Sequence, residues 1–469
     1  MQTTRFILLV TILLIWPYKS ARAENVIISE IMADNEDILQ DGHGNYSDWI
    51  EIHNPHSINI DLTGFFLTDS RSDLRKWNFP NKTIIGSNEY LIVFASGQED
   101  SSHIDPEGNL HTNFSLKSDG EYLAIIGPDG QEVIQQFSPN YPPTPKNISY
   151  GKSGYFLEPS PGNPNGGELV QGFVKDTKFS VDRGIHNEPF DLIISSETEG
   201  SRIYYTTDGS VPDPPNGQIY SKPITITNTT VVRAVAYKDN FEPTNVDTHS
   251  YIFLDSTLKQ PNDGPGLPRS WAGKPADYEM DPEIVNDPNY SNKIVPALRA
   301  FPSLSIAIKQ DDFYGSKGLY QNPKSQGDGW ERSVSVEFIP NNDHEDKFQI
   351  NSGMRIQGGS SRNPDIPKHS FSLRFRKEYG NAKLKYHLFK DSPFGESAVQ
   401  EFDYLQLRGG FNFGWTHRHY YQAKHAQYNR DQFANDLYLA MGNTGVHGRW
   451  THLYINGLYW GIYHLHERP

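Results

Sequence analysis

Between Gly353 and Phe375 the chain reads GMRIQGGSSRNPDIPKHSFSLRF. Gly358, Gly359, Ser360 and Ser361 make a bend dense in backbone N–H and hydroxyl donors, and Lys368 follows at the start of the next alternating run. Such a bend can cradle phosphate oxygens while a nearby lysine neutralises them. The same four residues also suit an ordinary hairpin turn, so the chemistry depends on what surrounds them. Histidine is the other concentrated reactive type, with ten of the 17 falling after residue 300. His417 and His419, and His464 and His466, stand two apart, which on a strand places both rings on one face, a spacing suited to zinc or copper. No third ligand stands at a diagnostic spacing such as H-E-x-x-H, so no metal ligands are assigned. Asp41, Asn45 and Asp48 crowd a glycine-rich loop, but their spacing misses the EF-hand pattern and Asx turns account for them.

The elements that would position the bend are strands. Met354 and Ile356 alternate with Arg355 and Gln357, and Phe371, Leu373 and Phe375 alternate with Ser370, Ser372 and Arg374, giving two arms of a hairpin. LSIAI after Pro302 and VSVEFI after Ser333 predict further strands, as do Phe402–Leu407 and the two arms around the Asn456-Gly457 turn. Arg430–Met441 predicts a helix, with Phe433, Leu437 and Tyr438, together with Ala440 and Met441, on one stripe and Asp431 in the first turn.

The rest of the chain divides by composition. Arg5, the apolar run Phe6–Trp16 and Ala21-Arg22-Ala23 predict a signal peptide over 1–23, too short to span a bilayer comfortably. The mature protein is therefore expected to be secreted or held at the cell surface, without a transmembrane segment once the signal is removed. Residues 24–154 are short strands punctuated by Asn, Asp, Gly and Pro turns, the pattern of a sandwich. A linker is expected over 155–176, where EPSPGNPNGG begins at Glu158. A second small β unit is expected over 177–254, then a Pro-, Asp- and Asn-rich connector over 255–300, then a last domain over 301–469. Cysteine is absent, which excludes disulfides and thiolate chemistry. Residues 301–469 carry 20 basic against 17 acidic side chains, leaving 22 and 40 for the remainder. That acidic front half argues against nucleic-acid partners, and the near-neutral last third is the part suited to a polyanionic ligand.

Three resemblances follow from particular residues. The pattern G-x-R-x-x-G-x-S-S…P-K-x-S-F-x-L-x-F, with THLYINGLYWGIYHLHERP at Thr451–Pro469, resembles the CotH kinase-like family over roughly Phe301–Pro469. Gln357, Gly359 and His466 depart from it where the family often has Arg, Asn and Arg. Ser29-Glu30-Ile31, Asp48-Trp49-Ile50-Glu51, Leu62-Thr63-Gly64 and Trp77 resemble the lamin-tail domain. Ile203–Gly209 and Val232–Ala236 resemble the chitobiase/hexosaminidase carboxy-terminal-type domain, here read as a spacer. Together they imply a mainly β multidomain protein: two immunoglobulin-like sandwiches followed by an incomplete α+β kinase-like lobe.

By resemblance to the CotH family, the cofactors are ATP and Mg²⁺ and the substrate is an exported or surface protein, with the front domains binding a cell-surface or polysaccharide ligand. Lys368 would pair with ATP phosphates, Ser360 and Ser361 would line the phosphate turn, Arg355 would support them, and Glu467 would lie near the nucleotide or orient a basic side chain. In that family the catalytic acidic residues lie beyond the segment matching LHERP, so this 469-residue chain is expected to be inactive as it stands and the catalytic residues stay unassigned. The alternative reading is a non-catalytic adhesion or scaffold protein built from β modules.

Overall fold

The computed structural model describes residues 26–468 apart from 99, 101, 102, 265, 367, 416 and 418. The expected signal peptide therefore lies outside the described residues. The described residues form two compact units, divided between 173 and 174, with 240–242 belonging to the first.

The first unit is a β-sandwich. A seven-stranded sheet has Ile27–Met32 beside Asp48–His53, and a four-stranded sheet centres on Phe66–Thr68 and Leu123–Ile126. Period-two alternation sends Ile28, Ile50, Ile52, Leu67 and Ile125 into the core between them, where Trp77 stacks edge-on against Phe79. The expected linker is largely part of this unit. Leu169–Val170 adds an edge strand against Gly154–Phe156. Ser160 donates through its amide and hydroxyl to Glu30, and the Gly162 amide donates to Glu51 at 2.7 Å. Both carboxylates are buried, so they need such donors, and a glycine-rich chain can bring its amides to them.

The second unit joins the smaller sandwich to a closed seven-stranded barrel. The sandwich carries Arg202–Thr206, Thr230–Tyr237 and Asp247–Phe253 in one sheet. The barrel order is Ser303–Ile308, Arg332–Ile339, Phe348–Gln357, Ser370–Arg374, Tyr404–Arg408, Leu458–Glu467 and Gly448–Ile455, which returns in parallel to the first. Every neighbouring pair but that last is antiparallel. Ile306, Val336, Met354, Phe371, Leu373, Leu407, Leu453 and Leu465 fill its core.

The two parts of this unit meet along the outer face of the first two barrel strands. Ser305 and Glu337 lie on that face, and both are buried. Glu337 accepts from the Ser250 amide at 3.0 Å and from its hydroxyl, Arg183 approaches at 3.4 Å, and Ser250 meets Ser305 at 2.7 Å. Ile252, Leu298, Ile339 and Tyr454 close an apolar cluster beside this seam. The sandwich read as a spacer is thus fastened to the barrel.

The expected connector is likewise built in. It folds into helices at Leu254–Leu258, Pro282–Val285 and Ser291–Ala300. It also sends Trp271 and Tyr278 into the barrel core, bonded to each other at 2.8 Å. The predicted helix is present as Arg430–Ala440, but its stripe faces outward. Phe433, Leu437 and Tyr438, with Met441 just past its end, are exposed, and Gln432 is the residue it buries.

Candidate functional site

The glycine-rich bend joins the third and fourth barrel strands. Gly358 holds φ at +113°, a backbone position that L side chains rarely adopt, and a short 3₁₀ turn follows over Ser360–Arg362. The bend is anchored from below. His369 Nδ1 bonds the Ser361 carbonyl at 2.8 Å, and Arg362 donates to the Ser325 carbonyl at 2.9 Å. Ser361 is buried while Gly358, Gly359 and Ser360 stay exposed.

Opposite the bend runs the loop that follows the fifth strand. Ser370 Oγ accepts from the Gly409 amide at 3.0 Å, which ties this loop to the hairpin. Between them lies a cleft of about 280 Å³, floored by Gln406 and Arg408 and closed by Phe411–Phe413. Arg408 ends the fifth strand, and its guanidinium pairs with Asp431 in the first turn of helix Arg430–Ala440. A strand cation beneath a glycine-rich turn, held in place by a helix carboxylate, is the arrangement by which protein kinases set a basic side chain against nucleotide phosphates. The aspartate fixes one side of the planar fork and leaves other donors free to turn toward the cleft.

The residues proposed from sequence are divided by the structure. Ser360 and Ser361 line the Arg408 cleft. Lys368 opens into a different cleft of about 360 Å³, walled by Trp271, Tyr278 and Trp460. Its ammonium donates to the Ile462 carbonyl at 2.6 Å and lies over Tyr463 at 4.9 Å and Tyr428 at 5.7 Å. Burial pushes its pKa down to about 8. Tyr428 lies close to Gly410, which lines the first cleft, and under the ammonium of Lys368, which lines the second. Arg355 is occupied on the barrel's outer wall, with Glu331 at 2.5 Å and Asp328 at 2.6 Å. Glu467 is buried and accepts from the His447 amide at 3.0 Å while also contacting His447 Nδ1, so it orients His447.

Arg408 and Asp431 were the residues that sequence reasoning passed over. Their signal was an Arg-Gly-Gly closing an alternating strand, followed by an acid in the first turn of the helix predicted over Arg430–Met441. The histidine pairs have local roles. His464 Nδ1 contacts His466 Nε2 directly beneath Trp450, and burial pushes both pKa values down, to about 2 and about 3. His417 Nδ1 accepts from the His419 amide at 3.0 Å. Asp41 accepts from the His43 and Asn45 amides and from the Ser47 hydroxyl, an Asx turn.

Three family models match the chain. The Lamin Tail Domain matches residues 19–140, the Chitobiase/beta-hexosaminidase C-terminal domain matches 181–248, and the CotH kinase protein matches 354–469. A search of the curated proteins found no match. The chain is accordingly a mainly β multidomain protein with a CotH-like region behind two β domains. Among the described residues no helix is long and apolar enough to cross a membrane.

Proposed function

We propose that the barrel takes up the phosphates of ATP in the cleft between the Gly358–Ser361 bend and the Gly409–Phe413 loop, as part of CotH-like phosphoryl transfer to an exported protein. The observation that carries this reading is the Arg408–Asp431 pair beneath the bend, inside the stretch matched by the CotH kinase protein model. Arg408 would neutralise the phosphate oxygens, and Ser360 and Ser361 would donate to them. Bound Mg²⁺ supplies charge neutralisation across the phosphates. Among the described residues no group of three or more His, Cys, Asp or Glu side chains is placed to hold a metal ion.

The same proposal makes the protein exported, with the first sandwich contacting a surface or polysaccharide ligand. The motivating feature is the leader-like sequence of residues 1–23. Amino-terminal sequencing of secreted material should begin at Glu24, and an intact Met1 in soluble protein would count against export.

Calorimetry with Mg-ATP tests the phosphate site. Arg408→Ala should weaken binding about tenfold or more, the loss expected for one charge-assisted contact. Lys368→Ala should weaken it less, because that ammonium faces the other cleft. Equal affinity for Arg408→Ala and the natural chain would remove the proposal, and a larger loss with Lys368→Ala would return the role to Lys368.

A further inference from the structure

The cleft of about 360 Å³ beside Lys368 takes no part in the phosphate site. Trp271, Tyr278, Tyr459 and Trp460 line it, and their polar ends are committed. Trp271 Nε1 donates to the Tyr278 hydroxyl at 2.8 Å, which donates in turn to the Pro268 carbonyl at 3.0 Å. Trp460 Nε1 donates to the Tyr320 hydroxyl at 2.8 Å, and the Tyr459 hydroxyl bonds His452 Nδ1 at 3.0 Å. Those rings therefore offer a guest apolar surface, which suits a small flat molecule. Asp277, Glu279 and Asp281 also line the cleft and are exposed, so they stand where it meets solvent.

Lys368 is the one basic side chain on this wall, and it is half-buried, so a guest can reach it. An ammonium carries three N–H donors. Here it finds one acceptor, the Ile462 carbonyl at 2.6 Å, and the faces of Tyr463 and Tyr428. The three carboxylates do not hold it, because burial alone moves its pKa, down to about 8. Gly461 leaves the nitrogen uncovered, where a Cβ would stand 3.4 Å from it. One acceptor and two ring faces fit a different cation better. A protonated imine has a single N–H for the Ile462 carbonyl and a charge spread onto carbon for the rings.

We infer that Lys368 condenses with small aromatic aldehydes held against Trp271, Tyr278 and Trp460, forming an imine in this cleft. The neutral amine adds to the carbonyl carbon, and the resulting carbinolamine loses water. The carbonyl oxygen leaves with the two hydrogens of the amine, and no oxidant or reductant is consumed. At pH 7 about a tenth of this amine is neutral, against about one part in 2,500 for an ordinary lysine. The inference is independent of the phosphate site.

The full chain is incubated at pH 7 with benzaldehyde and cyanoborohydride, which fixes any imine, and labelled lysines are read by peptide mass spectrometry. Lys368 should take the label at least tenfold faster than any other lysine. With hexanal, which has no ring, that preference should fall severalfold. Lys368→Met should lose the fast label while the other lysines react as before. Labelling of Lys368 no faster than that of exposed lysines would overturn the inference. An equal preference with hexanal would overturn the aromatic selection. Protection of Lys368 by saturating Mg-ATP would also overturn it, by placing the lysine in the nucleotide site.

Discussion

Glu337 shows how a single buried side chain can set the behaviour of the second unit with pH. Burial pushes its carboxyl up to about 7, with Arg183 and Ser250 opposing that shift. A folded pKa above the unfolded value means the folded state holds the extra proton. The contribution to stability is thus fully present below about pH 4.5, the usual glutamate value, and is lost as pH rises through about 7. Glu337→Gln should fare better, relative to the natural chain, at pH 8 than at pH 5. Melting temperatures of both proteins at both pH values check this, and a difference that does not move with pH would contradict it. The comparison cancels the buried histidines, whose lowered pKa values act in the opposite direction.

Lys368 carries a related cost. It has one carbonyl and two rings as partners, and no carboxylate among the described residues pairs with it. Replacing a desolvated charge by an apolar side chain of similar length is often neutral or stabilising. Lys368→Met should therefore change stability by no more than about 1 kcal/mol by denaturant titration, and a loss several times larger would show the ammonium to be a structural tie.

At the scale of elements, the hairpin arms and the final turn were legible because alternation and turn chemistry are local. Asn456 and Gly457 adopt φ of +48° and +81°, as an Asn-Gly turn requires. Asn456 also reaches across to the first barrel strand, accepting from the Ile308 amide at 2.9 Å and donating to its carbonyl at 2.8 Å. That second role is long-range and left no local signal. Asn456→Ala should cost about 1–3 kcal/mol, because it strands two backbone groups and strains the turn. Helix Arg430–Ala440 teaches the converse. Its period predicted the helix but not which face would be covered, since periodicity carries no information about the neighbour. Phe433→Ser with Leu437→Ser should shift the melting temperature little, as exposed positions usually do, and a large loss would show the stripe packed in solution.

At the scale of the whole molecule, composition marked as linkers two segments that the fold largely packs, although the division between the two units does fall inside the first of them. Pro, Gly and Asn mark turns whether or not the segment packs, so 155–176 and 255–300 read as linkers although both are tied into neighbouring sheets. The sandwich after residue 174 shares its seam and an apolar cluster with the barrel. Residues 174–469 should therefore unfold in a single calorimetric transition. Two separate transitions, one matching an isolated 177–254 fragment, would restore the spacer reading. The candidate site was half legible for the same reason. The bend carries its chemistry in consecutive residues, but Arg408 and Asp431 lie 23 residues apart and are joined only by the fold.

In the proposed reading, ATP phosphates sit between the Gly358–Ser361 bend and the Gly409–Phe413 loop. Hydrogen exchange on the full chain, with and without saturating Mg-ATP, tests it most directly. Amides of Gly359–Arg362 and Gly409–Phe413 should slow together on adding nucleotide, and Arg408→Ala should abolish that slowing. Protection confined instead to the Lys368 cleft, around Trp460 and Gly461, or no change at either place, would contradict it.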